Sequence, residues 1–585
     1  MKEGRGYEGL SKYSQEMYKE RYFLSGEDYS KWLYRVSEAY SDNQRHARRI
    51  RKYISNYWFH PSTPVSSNAG VPERGLPISC YTNEVEDSKE GIFSTWEENN
   101  WLGSYGGGIG TSWSNVRGIG EQIGANGKSS GIVPFIKVSD STTLAVSQGG
   151  LRRASQAVYL DVSHPEILEF IDIRRPTGDK ERRSTNIHHG IAISDAFMFA
   201  VTDRTSWDLI SPKTKEVVAT VDAFDLWKKI LVSRVETGEP YLFFKDTANE
   251  QAPDDYKYTG RKIKTSNLCS EIMLHTDEDT SGVCCLTSMN LEYFDEWKGD
   301  DKFLEDIHRY TDNILTSFID LTEDKKGFQK ARRGALEERS IGIGVMGYHS
   351  VLQASKLPYQ SLATNYLTKH MFQHIAEGLL QSNYVLAAEK GKAPMSKNLR
   401  NINVTAIAPT ASISTLCNLS SPGVDPRVSN IYTAKTNIGS YTIKNKYLDK
   451  VLMEYIDKEV VGNEIYKAQW IEDTWKSIQK HGGSVQHLEW MHEDDKQVFK
   501  TAYEIDPRAY TNNISIIQPY ITQGISTNLF LPADIDVQTL YNVHMDAWTK
   551  GLKSLYYVRS TAISRANTGI QDRVKLEEDT CLSCS

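Results

Sequence analysis

Apolar residues recur along this chain in two rhythms. In "EDYSKWLYRVSEAYSDNQRHARRIRKYISNYW", Trp32, Leu33, Val36 and Tyr40 return at helical spacing, which predicts a helical region over residues 1–62. The following "FHPSTPVSSNAGVPERGLPISC" breaks that pattern with four prolines and two glycines, so a new unit is expected to open near residue 61. From there to residue 560, short apolar runs alternate with amphipathic stretches. "GIVPFI" (131–136), "AVYLDV" (157–162) and "GIAIS" (190–194) read as strands. "AFDLWKKILVSRVE" (223–236) and "QHIAEGLLQSNYVLAAEKG" (373–391) read as helices. The alternation predicts an α/β fold built on parallel strands. Residues 561–585 carry few large apolar groups and read as a flexible tail.

Composition narrows the class. Hydrophobic residues at 39% and charged residues at 24% fit an ordinary globular protein. The net charge of −7, with both signs spread along the chain, offers neither a nucleic-acid stripe nor a polybasic membrane patch. The polar start has no apolar signal core, and no run approaches the ~18 apolar residues of a membrane span. Seven cysteines, an odd and sparse set for 585 residues, fit a reducing cytoplasm in which thiols do chemistry.

Several short motifs then raise specific possibilities. "SNLCSEIMLHT" (266–276) sets Asn267, Cys269 and Glu271 at alternate positions, so in an extended segment an amide, a thiol and a carboxylate share one surface. Its plainer reading is a strand with a buried cysteine. "GVCCLTSMNL" (282–291) carries neighbouring cysteines that face opposite sides of a strand, so at most one of Cys284 and Cys285 joins a shared site. Cys80, in "LPISC", is uninformative alone. The glycines of "SYGGGIGTSWSNVRG" (104–118) allow close approach of a ligand, but match neither the dinucleotide nor the Walker pattern. "SQGGLRRASQ" (147–156) offers Arg152 and Arg153 after a Gly-Gly turn, suited to an anion or simply solvated. In "APTASISTLCNLSSPG" (408–423), Thr410 and Ser412 are expected to cap a helix start, an end that binds phosphate. "SLYYVRS" (554–560) holds Tyr556 and Tyr557, a pair more often used in packing. No metal site is expected: Cys581-X-X-Cys584 lacks a second ligand pair nearby, and His188 and His189 are adjacent.

Taken in order, these motifs resemble the catalytic large (alpha) subunit of a class I ribonucleotide reductase. The likeness runs through Cys80, Gly-Gly-Gly-Ile-Gly, Ser-Gln-Gly-Gly-Leu-Arg, Asn-Leu-Cys-Ser-Glu, Cys284 six residues before Asn290, Pro-Thr-Ala-Ser, Tyr-Tyr and the terminal Cys581/Cys584 pair; "ERSIGIGVMGYHSVLQ" (338–353) is also similar. It covers about residues 50–585. It implies a ten-stranded α/β barrel over 63–560, made of two five-stranded parallel halves. A finger loop would carry Cys269 into the barrel, where Cys80 and Cys284 would face each other. Residues 1–62 would form a helical region without a full ATP cone, and 561–585 a redox tail.

The resemblance also implies roles. Cys269 would form a thiyl radical and abstract the 3′-hydrogen of a ribonucleoside diphosphate. Glu271 would serve as general base and Asn267 would orient the sugar hydroxyls. Cys80 and Cys284 would supply the reducing electrons by forming a disulfide. Tyr556 and Tyr557 would relay the radical from a metal-containing small (beta) subunit, with no cofactor on this chain. Cys581 and Cys584 would exchange with the buried disulfide and pass electrons from thioredoxin or glutaredoxin. Substrate would meet Thr63, Ser79, Gly108, Thr410, Ala411 and Ser412. A dNTP or ATP effector would meet Asp87, Ser88, Arg117, Gln148 and Arg152. A homodimer is expected. Two other functions share parts of the pattern: an adenosylcobalamin-dependent class II reductase, distinguished by the tyrosine pair, and a non-catalytic nucleotide-binding subunit, distinguished by turnover.

Overall fold

The computed structural model describes residues 4–125, 127–147, 153–436, 439–459 and 464–560. Gln148, Arg152, Cys581 and Cys584 lie outside the described residues.

The centre is a ring of strands in two halves. In the first, β1 (Cys80–Glu84), β2 (Gly108–Ser112), β3 (Ser155–Asp161), β4 (His188–Ile193) and β5 (Tyr241–Phe244) pair in that order, each parallel to the next. In the second, β6 (Gly282–Asn290) pairs parallel with β7 (Ile341–Met346). Ile341 N and Ile343 N donate to Asn403 O and Val404 O, which adds residues 403–408 to the edge of β7. Ile407 bridges Ile525 in parallel, and Leu529–Leu531 pairs parallel with Val558–Ser560. The halves meet antiparallel at two seams: β1 against β6, and β5 against Ser554–Leu555. Five strands and five strand segments thus close into a ten-stranded α/β barrel.

Burial on both faces explains the strand sequences. β6 is buried at all nine positions and reads as an apolar run with small polar residues, as a strand covered on both sides must. Connecting helices are bounded by ordinary caps. Helix Ala223–Thr237 starts at Asp222, whose carboxylate accepts from Asp225 N at 2.8 Å, and stops at Gly238 with φ 84°. Helices Lys12–Arg21, Tyr29–Ala39 and Gln44–Ser55 pack into the same core as the barrel's outer layer, and Phe59–Pro61 pairs antiparallel with β6. A smaller core around Leu448, Leu452, Trp475 and Phe499 lies among helices Lys446–Glu459 and Glu464–Lys480.

Two sequence expectations change here. "GIVPFI" does not form a strand: Val133–Val146 is a helix with Pro134 in its first turn. A short apolar run suits either element, and proline's fixed φ and missing N–H suit a helix start. "AVYLDV" and "GIAIS" do fall on β3 and β4. Secondly, 267–271 is not extended. Ser270 takes φ 63° and its N–H donates to Asn267 O at 3.3 Å, so the segment turns sharply.

Candidate active site

Residues 263–275 form a finger loop closed at its base by an antiparallel bridge between Ile263 and His275. Both halves of the barrel hold it. From the first half, the Tyr159 hydroxyl donates to Asn267 O at 2.8 Å. From the second, Gly524 N donates to Glu271 O at 2.8 Å, and the Ser554 hydroxyl donates to Ser270 O at 2.8 Å. At Gly110 in β2, an added Cβ would lie 1.7 Å from Ser266 O and 2.7 Å from Asn267 Cα. The glycine-rich motif therefore does admit close backbone approach, and what approaches Gly110 is the chain's own finger loop.

The loop's tip locks an amide against a carboxylate. Asn267 Nδ2 donates to Glu271 Oε1 at 3.0 Å, while Asn267 Oδ1 accepts from the N–H groups of Glu271 and Ile272, both at 3.1 Å. The Ser526 hydroxyl lies 2.6 Å from Cys269 O and 3.1 Å from Glu271 Oε2. Asn267, Cys269 and Glu271 are all fully buried. A turn, not strand alternation, brings the amide and carboxylate together.

Cys80 and Cys284 are register partners across the β1–β6 seam. Directly opposed residues of an antiparallel pair have Cα atoms about 4.5–5.5 Å apart, inside the span a disulfide needs. Cys80, Cys269 and Cys284 share one buried apolar cluster inside the barrel. Cys285 points the other way, into the outer core with Phe59 and Tyr310. Burial, reinforced by the Cys80 sulfur, pushes the Cys284 thiol well above the usual thiol range. The sulfur is therefore a neutral thiol at rest.

The tyrosines lead outward from the third thiol. The Tyr556 hydroxyl donates to Cys269 Sγ at 3.3 Å. The rings of Tyr556 and Tyr557 lie 4.3 Å apart between centroids, and Tyr241 packs against both, at 4.7 and 5.0 Å. The Tyr557 hydroxyl reaches His188 Nδ1 at 3.2 Å, and His188 Nδ1 lies 2.6 Å from Glu239 Oε1. Burial would raise the Glu239 carboxyl, but Arg174, His188 and His189 hold it well below the usual carboxylate range. Arg234, fully buried, donates to Tyr556 O at 3.0 Å and fixes the backbone of the pair.

Because the halves run antiparallel, the rim where β1 and β2 begin is the rim where the second-half strands end. Ser79, Gly108, Thr63 and the helix Ala411–Leu416, with Ser412 in its first turn, stand at this rim. Gly108 N donates to Ser79 O at 2.6 Å, and the hydroxyls of Thr63 and Tyr22 pair at 3.0 Å. Thr410 does not cap its helix. It has φ 53°, and its hydroxyl accepts instead from Gly423 N at 2.7 Å, which closes the following loop. Asp87, Ser88 and Arg117 meet at the opposite rim. Arg117 Nε lies 2.9 and 3.0 Å from the two Asp87 oxygens, and Ser88 caps helix Lys89–Ser104 through Gly91 N at 2.8 Å.

The family model for the ribonucleotide reductase barrel domain matches residues 78–398 and 394–558. This chain belongs to the ribonucleotide reductase family. A Frog virus 3 (isolate Goorha) protein named as a ribonucleoside-diphosphate reductase large subunit is 38% identical over 555 residues, 94% of each chain. The ribonucleoside-diphosphate reductase large subunit of Invertebrate iridescent virus 3 is 36% identical over 579 residues, 89% of each. The class Id ribonucleotide reductase alpha subunit of Actinobacillus ureae superposes with a TM-score of 0.82 at 30% identity, covering 99% of both chains.

Within this candidate site, Tyr159, Gln523, Ser526 and Tyr241 touch the finger loop or the tyrosine pair, yet no spacing in the sequence marks them. They come from three separate strands, Gln523 and Ser526 sharing one, and only barrel closure gathers them. Among the described residues no group of three or more His, Cys, Asp or Glu is arranged to hold a metal ion, and no helix is long and apolar enough to cross a membrane.

Beside the Arg117 rim, Glu166 Oε2 accepts from Ile119 N at 3.1 Å and Ile132 N at 2.9 Å. Burial pushes its carboxyl up to about 7. A folded value above the unfolded one of about 4.3 contributes stability below the unfolded value, and that contribution is lost as pH rises to about 7. Glu166→Gln keeps an acceptor without the charge. Its melting temperature relative to wild type is expected to climb between pH 5 and pH 8, with a gain of about 2–3 kcal/mol at the upper end. A difference constant across that range refutes the assignment.

Proposed function

We propose that this chain is the nucleotide-reducing subunit of a class I ribonucleotide reductase and converts ribonucleoside diphosphates to 2′-deoxyribonucleoside diphosphates. One observation carries the proposal: three thiols share a buried cluster, one of them within reach of a tyrosine hydroxyl that leads outward. The names of the viral relatives support the diphosphate substrate.

In this reading a small subunit supplies the oxidising equivalent. Tyr557 and Tyr556 pass it to Cys269: each phenol loses its hydrogen when it is oxidised and regains one as it oxidises the next group. The Cys269 sulfur takes the 3′-hydrogen of the ribose. Glu271, held by Asn267 and Ser526, accepts the 3′-OH proton, and the 2′-OH leaves as water. Cys80 and Cys284 give two electrons and two protons and close a disulfide. Cys269 then returns its hydrogen to C3′. The balance is a ribonucleotide plus two thiols giving a deoxyribonucleotide, water and one disulfide.

The tail cysteines Cys581 and Cys584 would reopen that disulfide, drawing on thioredoxin or glutaredoxin. Ser560 and Cys581 are 21 positions apart, and a flexible chain of that length would have an r.m.s. span of about 25 Å, enough to bring the pair to the barrel. Asp87, Ser88 and Arg117, with Gln148 and Arg152, would form an effector site for a dNTP or ATP. Phe93, Val138 and Leu144 are exposed on the packed helices Lys89–Ser104 and Val133–Val146, an apolar surface that suits a second copy of the chain. The deciding experiment is reduction of CDP with a cognate small subunit, with adenosylcobalamin in its place, and with neither. Deoxycytidine diphosphate is expected in the first arm alone. Turnover with adenosylcobalamin alone would place the chain in class II, and its absence from every arm would leave a binding subunit.

A further inference from the structure

Gln523 occupies a position between the finger loop, β7 and the Cys284 sulfur. It is fully buried, and its amide has a partner at each end. Oε1 accepts from Met273 N in the loop at 3.1 Å. Nε2 donates to Ile341 O at 3.0 Å and to Cys284 Sγ at 3.5 Å. A flipped amide would set its NH2 against the Met273 N–H and its oxygen against a carbonyl, so the orientation is determined by its neighbours. The backbone is held as firmly. Gln523 N donates to Thr405 O at 3.0 Å, and Gln523 O accepts from the buried Lys553 Nζ at 2.9 Å. Nearby, Gly342 leaves room for this sulfur, since a Cβ there would lie 2.8 Å from Cys284 Sγ.

Leu286, Ala406, Ala408 and Met273 lie in the same apolar cluster as Cys284; its other polar neighbours are Cys285 O, 3.8 Å from the sulfur, and the Glu271 carboxylate, whose charge opposes a thiolate there. Cys284 is 1% exposed, so a thiolate forming there is poorly solvated. A fixed N–H donor at the sulfur is the kind of group that stabilises such a charge.

We propose that Gln523 is a catalytic residue of the disulfide-reopening step and selects Cys284 as the leaving sulfur. The inference rests on the function proposed above. In the step, the thiolate of an incoming dithiol attacks Cys80 Sγ. A new S–S bond forms between them as the Cys80–Cys284 bond breaks. The electron pair of the broken bond leaves on Cys284 Sγ, opposite the Gln523 N–H, and is then protonated. The second thiol of the dithiol loses its proton, attacks the mixed disulfide and frees Cys80. One disulfide and one dithiol become two thiols and one new disulfide.

The test uses the full chain carrying C581S and C584S, so that the tail cannot intervene. The holoenzyme with its small subunit turns over CDP without reductant. 2-Mercaptoethanol, which forms a mixed disulfide and stalls, is then added. After acid quench and alkylation, peptide mass mapping locates the adduct. The expected result is mercaptoethanol on Cys80 and alkylation on Cys284. In Gln523→Leu, reduction of the disulfide is expected to slow about tenfold, as for loss of one hydrogen bond of ordinary strength, and the preference for Cys80 to fall. An adduct on Cys284, or an even split in the otherwise native chain, overturns the proposal even where Gln523→Leu fails to fold. Unchanged rate and partition in a folded Gln523→Leu chain overturn it as well. A disulfide that never forms overturns the proposed function itself, whereas a disulfide opened from the wrong side overturns this step alone.

Discussion

In Tyr556→Phe, nucleotide reduction is expected to fall at least about a thousandfold, equivalent to about 4 kcal/mol of barrier, with nucleotide affinity and melting temperature nearly unchanged. The substitution removes one atom. The phenylalanine ring keeps the packing of Tyr556 against Tyr241 and Tyr557, at 4.7 and 4.3 Å. What disappears is the hydroxyl 3.3 Å from Cys269 Sγ, a group that can exchange a proton and an electron together with the sulfur. A packing role would leave turnover largely intact, since the apolar volume is conserved. Steady-state CDP reduction beside equilibrium nucleotide binding separates the two. Activity within tenfold of wild type would remove Tyr556 from the relay.

Gly110→Ala is expected to cost more than any other single methyl group in the barrel. Its Cβ would stand 1.7 Å from Ser266 O and 2.7 Å from Asn267 Cα, and both are backbone atoms that no rotamer change can move. The finger loop must shift by an ångström or more. That shift strains the Asn267–Glu271 turn and carries Cys269 away from Tyr556. Overpacking of this kind costs about 1–3 kcal/mol of stability, and misplacing reacting groups by ~1 Å costs about a hundredfold in rate. Gly299 is the control, because a Cβ there meets nothing within 4 Å. Melting temperature and CDP turnover should both fall in Gly110→Ala and hold in Gly299→Ala. Equal behaviour of the two variants would mean that the loop does not press on β2.

Local rhythm made much of the architecture legible. β3, β4 and helix Ala223–Thr237 lie where alternation and helical periodicity put them, because those patterns record which side of an element meets the core. The run at 131–136 misled, since six apolar residues satisfy a strand as well as the first turn of a helix. Thr410 misled for a related reason. Its hydroxyl had a distant competitor, Gly423 N, that no local pattern announces.

The thiols show the same division. Their order along the chain was enough to suggest a family and its chemistry, because residue types at given spacings are a one-dimensional record. Which of two neighbouring cysteines meets Cys80 depends on register across the β1–β6 seam, between residues some two hundred positions apart. Gln523 and Tyr241 are invisible in one dimension for that reason. Each is an unremarkable residue on its own strand, and each acquires a role when closure of the ring brings that strand's inner face against the finger loop. Residue identity along the chain set the available chemistry and the local elements. Long-range pairing, governed by burial and backbone hydrogen bonding over the whole barrel, chose which groups meet.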